Sequence, residues 1–164
     1  MAHSIFGRRE DGKIQTRILV PVKGVAEVDD EAMRLAYTYA LAKRGKGRNI
    51  AVEVVFVVQV PQAFPLDAHL DDKLSLGEKA LDHAEAVAGE MGLEVETTIV
   101  QARSAGAAIV DLARESKAEM VVMAVEYQTK LGELDLGKTL PYVLKHAPCH
   151  VWSCRTPIPE ECVT

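Results

Sequence analysis

The sequence predicts an α/β fold: a five-stranded parallel sheet with helices on both faces, a Rossmann-like open sandwich of strand order 3-2-1-4-5. Two observations predict it. Five short runs rich in apolar and β-branched residues alternate with four segments whose apolar residues recur at helical spacing. Most of these runs are continuously apolar, as in strands buried on both faces. Because parallel strands need crossover connections of one hand, the alternation places helices on both sides.

The strands are bounded by glycine, proline or polar residues. The first apolar run stops at Lys23-Gly24, and the valine-rich second run stops at Pro61. The third alternates apolar and polar residues, whereas the fourth and fifth are compact runs. The predicted strands are 18–22, 50–60, 94–101, 120–125 and 150–155.

The helices follow from apolar periodicity and from capping residues. Asp29 or Asp30 is placed to cap the first helix, which runs to Arg44. Pro141 falls in the first turn of the last helix, where a missing N–H costs nothing, and Pro148 ends it. The other predicted helices are 74–91, 105–116 and 137–146, and a loop at 126–136 precedes the last one.

The chain of 164 residues predicts one domain at 17–155, with a flexible extension at 1–16 and a tail at 156–164. Hydrophobic residues make up 48% and charged residues 26%, which is enough for a sizeable core. Three cysteines near the C-terminus and no apolar leader or membrane-length run favour a reducing, cytoplasmic location. The net charge of −5, without a basic stripe, argues against nucleic-acid binding.

Several short motifs in this order resemble one known family. They are Ile18-Leu19-Val20-Pro21-Val22, then Ala118-Glu119 before Met120-Val121-Val122-Met123, and finally Ala147-Pro148-Cys149-His150-Val151. Together they resemble universal stress proteins over roughly 17–155. The resemblance implies a non-catalytic regulatory protein that binds ATP or another adenine nucleotide, accompanied by Mg²⁺.

The sequence departs from the nucleotide loop of that family. ATP-binding members carry G-x-x-G, nine residues, then G-S/T after the fourth strand. Counted back from Gly137, the first two glycines fall at Ala124 and Tyr127, and the serine position holds Lys138. Lys23 stands where those members tend to carry an aspartate. Glycines let the backbone approach the ligand, so these changes predict an altered pocket.

The expected ligand position is the carboxyl edge of the sheet, after Val22, Val60 and Val125, where the strand order reverses. Lys23 and Lys138 supply cations there, and the helix that begins at Gly137 attracts anions. The predicted nucleotide or anion site comprises Pro21, Val22, Lys23, Val58, Met123, Ala124, Val125, Tyr127, Gly137, Lys138 and Thr139.

Two other motifs are weaker. Gly132 to Thr139 matches the Walker A pattern literally, but six residues separate it from the fourth strand, whereas a phosphate-binding loop follows its strand directly. His146, Cys149, His150 and Cys154 are close in sequence. Alternation along a strand puts them on opposite faces, so no metal site is predicted. No catalytic constellation is present.

Two partners are expected. The family resemblance implies a homodimer through the fifth strand, with Val151, Trp152 and Ser153 at the interface. Trp152 is an interface anchor, or equally a core residue that packs on the fourth helix. The segments 60–68 and 142–149 resemble stress-protein domains that accompany amino-acid and cation transporters, which leaves a ligand-free regulator of a membrane transporter as one alternative function. An ATP-binding protein with weak ATPase activity is the other alternative.

Overall fold

A computed structural model describes residues 16–44, 46, 48–158 and 160. The predicted N-terminal extension, apart from Thr16, lies outside the described residues. In the predicted tail, 156–158 and 160 are described, and Cys162 lies outside the described residues. No helix in the described ranges is both long and apolar enough to cross a bilayer.

The predicted five-stranded parallel sheet is confirmed. Its strands are β1 (Thr16–Val22), β2 (Ile50–Gln59), β3 (Glu96–Ala102), β4 (Met120–Val125) and β7 (His150–Arg155). Their order is β3-β2-β1-β4-β7, and every neighbouring pair is parallel. This is the predicted order, because β7 is the fifth strand of the main sheet.

The helices are α1 (Ala26–Arg44), α2 (Asp71–Glu90), α3 (Ala105–Glu115) and α4 (Thr139–His146). α1 begins three residues before Asp29, so neither Asp29 nor Asp30 is its N-cap. α2 also begins three residues earlier than its apolar stripe predicts, because Asp71 and Asp72 extend its first turn and suit the helix dipole. α4 begins at Thr139, two residues after Gly137.

The predicted loop at 126–136 contains a small hairpin. β5 (Thr129–Lys130) pairs antiparallel with β6 (Glu133–Leu134). Leu131 and Gly132 form its turn with φ of 54° and 82°, the positive values that a tight hairpin turn requires. Strands of two residues carry no periodic signal, so the sequence did not reveal them.

The core has two layers, one on each face of the sheet. α1 and α2 cover one face, where Tyr37 and Leu81 pack on Val20, Val54 and other strand residues. α3 and α4 cover the other, where Ile109 and Val143 pack on strand residues that include Val121. The helices therefore leave the carboxyl ends of the strands as the open edge of the sandwich.

Candidate functional site

β1 and β4 part before their carboxyl ends. Pairing between them is confined to Ile18↔Met120 and Leu19↔Val121, although β1 runs on to Val22 and β4 to Val125. Pro21 brings no N–H to the ladder, which gives a physical reason for the separation. β1 stays paired with β2 along its whole length, and β4 with β7. The sheet thus opens at the predicted position, where ligands of such folds bind.

The turn after β1 is held by the carboxylate of Asp29, which is only 4% exposed. The backbone N–H of Lys23 donates to both of its oxygens at 3.0 Å, and the N–H groups of Gly24 and Val25 donate to Oδ2 at 2.8 and 3.0 Å. Burial raises the pKa of Asp29, and the three backbone hydrogen bonds act in the opposite direction. Because the Asp29 carboxylate is itself an anion, the three N–H groups that could bind a ligand anion are already hydrogen-bonded.

The turn after β4 is tied to the end of β7. The N–H of Tyr127 donates to Oγ1 of Thr156 at 2.8 Å, and the N–H of Thr156 donates to the carbonyl of Val125 at 2.8 Å. The guanidinium of Arg155 lies 5.4 Å from the centre of the Tyr127 ring, a cation–π distance. Tyr127 is thus anchored beside β7, and a side chain stands where the family motif has glycine.

The turn before α4 also holds a carboxylate. Gly137 has a φ of 65°, and its N–H donates to Oδ1 of Asp135 at 2.8 Å. A Cβ on Gly137 would meet no atom within 4 Å, so the space beside this glycine is open. Lys138, which follows, is exposed. A ligand anion at this point would compete with Asp135.

The predicted nucleotide-site residues divide into two groups. Those on the strands are core residues, because Val22, Val58, Met123, Ala124 and Val125 are at most 6% exposed. The groups that can reach a ligand lie in the turns: Lys23, Gly137 and Lys138 are exposed, and Pro21, Tyr127 and Thr139 are half-buried. Asp29 and Asp135 occupy the N–H donors of these turns, a role that the sequence alone did not indicate.

The Walker A match does not form a phosphate loop. Gly132 lies in the hairpin turn, and Glu133 and Leu134 form β6. The N–H of Asp135 then donates to the carbonyl of Gln128, closing the hairpin. A phosphate-binding loop presents consecutive free backbone N–H groups to its ligand. In this segment, backbone N–H groups take part in the hydrogen bonds of the hairpin instead.

Trp152 packs on α1. Its ring is edge-on to Tyr39 with centroids 5.3 Å apart, and the ammonium of Lys43 lies 5.2 Å from the centre of the Tyr39 ring. The expectation that Trp152, as a core residue, would pack on the fourth helix was wrong, because even-numbered residues of β7 face the α1 side of the sheet. Trp152 remains 37% exposed at the free edge of β7.

The cysteine and histidine cluster divides as the strand pattern predicts. Cys154 packs against the α1 face, whereas Cys149 and Val151 pack on the α3–α4 face. Burial raises the pKa of both thiols. In the described part of the chain, no three histidine, cysteine or carboxylate side chains converge as metal ligands would.

The sequence of residues 15–155 matches the model of the universal stress protein family. The chain belongs to the universal stress protein family. It is similar to a universal stress protein of Methanocaldococcus jannaschii, with 27% identity over 93% of this chain and 89% of that protein.

Solved structures of the family share the fold. The universal stress protein of Archaeoglobus fulgidus in complex with dAMP superposes with a TM-score of 0.61 and 21% identity, over 84% of this chain and 96% of that one. A family member from Arabidopsis thaliana with AMP bound gives a TM-score of 0.64 and 16% identity, over 89% and 97%. Those two relatives are described with adenine nucleotides.

Proposed function

We propose that this universal stress protein is a non-catalytic, dimeric regulatory module that binds an adenine nucleotide in an altered pocket at the carboxyl edge of its sheet. The proposal rests on the opening between β1 and β4 at the carboxyl edge of the sheet. Two exposed lysines, Lys23 after β1 and Lys138 before α4, are the cations that we expect to face a ligand there. Relatives of the same fold are described with AMP and dAMP.

The pocket holds phosphate differently from a glycine loop. Asp29 and Asp135 bind the N–H groups of the two turns, so fewer backbone donors are free. The ammonium groups of Lys23 and Lys138 supply charge instead, as mobile donors on long side chains. A monophosphate suits two lysines, and a di- or triphosphate such as ATP would bring Mg²⁺ to neutralise its extra charge.

Calorimetric titration with AMP, ATP, cyclic AMP and adenosine tests the proposal. We expect AMP to bind more tightly than adenosine, and Lys138→Ala or Lys23→Ala to weaken AMP binding by about tenfold, the loss of one charge-assisted hydrogen bond. Lys145→Ala is the matched control, because Lys145 is an exposed lysine in the last turn of α4. Absence of heat with all four ligands at millimolar concentration would reject the nucleotide pocket.

A second candidate is a ligand-free regulator of a membrane transporter. The β2–α2 connection exposes Phe64 and Leu66 by 50% and 42%, and both lie in the segment that resembles transporter-associated domains. Exposed apolar groups of this size suit a protein partner. Pull-down from native membranes should then recover a transporter with the wild-type chain and lose it with Phe64→Ser/Leu66→Ser, whereas equal recovery by both proteins would reject this docking segment.

A further inference from the structure

A cleft of about 200 Å³ lies between α1 and α2, beside the turn after β1. α1 contributes Ala26, Asp29 and Met33 to its wall, spaced by one helical turn, and α2 contributes residues that follow the same spacing. The lining from the turn and α2 is Gly24, Leu76, Lys79, Ala80 and His83. The cleft therefore lies on the helical layer formed by α1 and α2 and adjoins the turn after β1.

The cleft has an apolar floor and a fixed shape. Met33 is 1% exposed, and Ala80 and Leu76 complete the apolar surface. Leu76 reaches over Gly24, where an added Cβ would lie 2.9 Å from its Cδ1. Across the mouth, Nε2 of His83 lies 2.7 Å from Oδ1 of Asp30 and ties α2 to α1. The volume is below the 300–1,000 Å³ of drug-sized sites, so the cleft suits a small molecule.

Lys79 is a cation of the cleft lining that has no carboxylate partner among the described residues. The carboxylate of Asp29 is satisfied by three backbone N–H groups, and that of Asp30 by His83. Among the described residues, no carboxylate oxygen lies within 4.0 Å of Nζ of Lys79. Lys79 is exposed at the rim, so its ammonium can bind an anionic group while the floor covers an apolar body.

We infer that this cleft is a second binding site, for a small apolar molecule that bears a single carboxylate or similar anion. The apolar part of the ligand lies on Met33, Ala80 and Leu76, and its anion bonds to Lys79. The cleft shares Gly24 and Asp29 with the turn after β1, whereas Lys79, Ala80 and His83 belong to α2.

Amide chemical-shift mapping with benzoate tests this inference on the full chain, with benzamide as the neutral probe of the same shape. We expect saturable benzoate shifts at Gly24, Ala80 and His83, weaker shifts with benzamide, and a loss of affinity of about tenfold in Lys79→Ala, as for one charge-assisted hydrogen bond. Lys145→Ala should bind benzoate as the wild type does. Ala80→Leu, which fills the floor, should also abolish the shifts.

Three outcomes would overturn the inference. Benzoate shifts that do not saturate show no site, and equal binding of benzamide shows that the anion is not recognised. Displacement of benzoate by AMP shows that the cleft is part of the nucleotide pocket. That last result would leave the proposed nucleotide binding intact, so the two proposals fail separately.

Discussion

Asp29 shows how one side chain organises the turn after β1. The sequence identifies it as a capping candidate, because aspartate before an apolar periodic segment is a helix-start signal. In the structure the helix has already begun, and the carboxylate turns back to bind three N–H groups outside it. The direction of the Asp29 side chain depends on the path that the chain takes after β1. The helix-capping preference of a single residue does not encode that path.

Replacement of this carboxylate should destabilise the fold. We expect Asp29→Ala to lower the free energy of unfolding by about 2 kcal/mol, because it leaves part-buried N–H groups without an acceptor. Asp111→Ala, which removes an exposed carboxylate paired only with Arg114, should cost less than about 0.5 kcal/mol. Urea unfolding of both variants measures the difference. Equal losses would show that the turn does not need Asp29.

The same carboxylate predicts a pH dependence. Burial raises its folded-state pKa above the usual 3.8, so the folded chain holds this proton more tightly than the unfolded chain. The stability contributed by the protonated group is therefore full below pH 3.8 and is lost as the pH rises through the folded-state pKa. The difference in unfolding free energy between wild type and Asp29→Ala should shrink with rising pH over that window. A difference that grows would contradict the assignment.

Asp135 should restrict anion binding at α4. Asp135→Ala removes its charge and frees the N–H of Gly137, so AMP should bind about three- to tenfold more tightly. Asp135→Asn keeps an acceptor and should give a smaller gain. Glu133→Ala removes an equal charge from the same hairpin without freeing this N–H. If Glu133→Ala tightens AMP as much as Asp135→Ala, only overall charge matters and the contact has no specific role.

At the scale of elements, prediction succeeded where burial dictates the sequence. β4, whose six residues are all buried, has the predicted bounds. β7 also has the predicted bounds although none of its residues is buried, because Pro148 and Pro157 lie just beyond its two ends. α1 and α2 were found but begin earlier than predicted, α1 at Ala26 before the expected cap at Asp29 or Asp30, and α2 at Asp71 and not at Leu74. Charged residues in their first turns hide the apolar periodicity there. The hairpin of β5 and β6 was missed, because Leu131 and Gly132 are its only turn signal.

Two glycines of α2 make a matched test of its packing. A Cβ on Gly77 would lie 2.7 Å from the ring of Phe56 in β2, whereas one on Gly89 would meet nothing within 4 Å. Gly89→Ala should therefore stabilise the protein by about 0.5–1 kcal/mol through helix propensity. Gly77→Ala should destabilise it by about 1–3 kcal/mol through overpacking. Thermal unfolding compares them, and a stabilised Gly77→Ala would show that α2 does not pack this closely on β2.

In the molecule as a whole, the parallel sheet and its two helical layers followed from the alternation of elements. The predicted strand order, which alternation alone does not determine, is confirmed, with β7 at an edge. Its free edge, with Trp152 held against Tyr39, is where we expect two copies to pair. Because β1 and β4 separate before their carboxyl ends, the sheet is open between them at this edge. The sequence predicts the position of this edge, but the hydrogen bonds of Asp29 and Asp135 to its turns depend on the three-dimensional paths of the loops.

Pairing through β7 predicts a dimer that a charge at its edge disrupts. Trp152→Glu should give a monomer by light scattering, because a carboxylate at a paired apolar edge is desolvated without a partner. Leu144→Glu adds the same charge to α4, at a residue that is 53% exposed, and should leave the dimer intact. A dimeric Trp152→Glu with native circular dichroism would place the interface elsewhere.

Amide chemical-shift mapping during AMP titration tests most directly whether an adenine nucleotide binds at the opening between β1 and β4. The predicted result is a saturable set of shifts at Lys23, Tyr127, Gly137 and Lys138, reduced in Lys138→Ala, with little change at Lys145. Unchanged spectra at millimolar AMP, or shifts confined to other faces of the molecule, would contradict the claim.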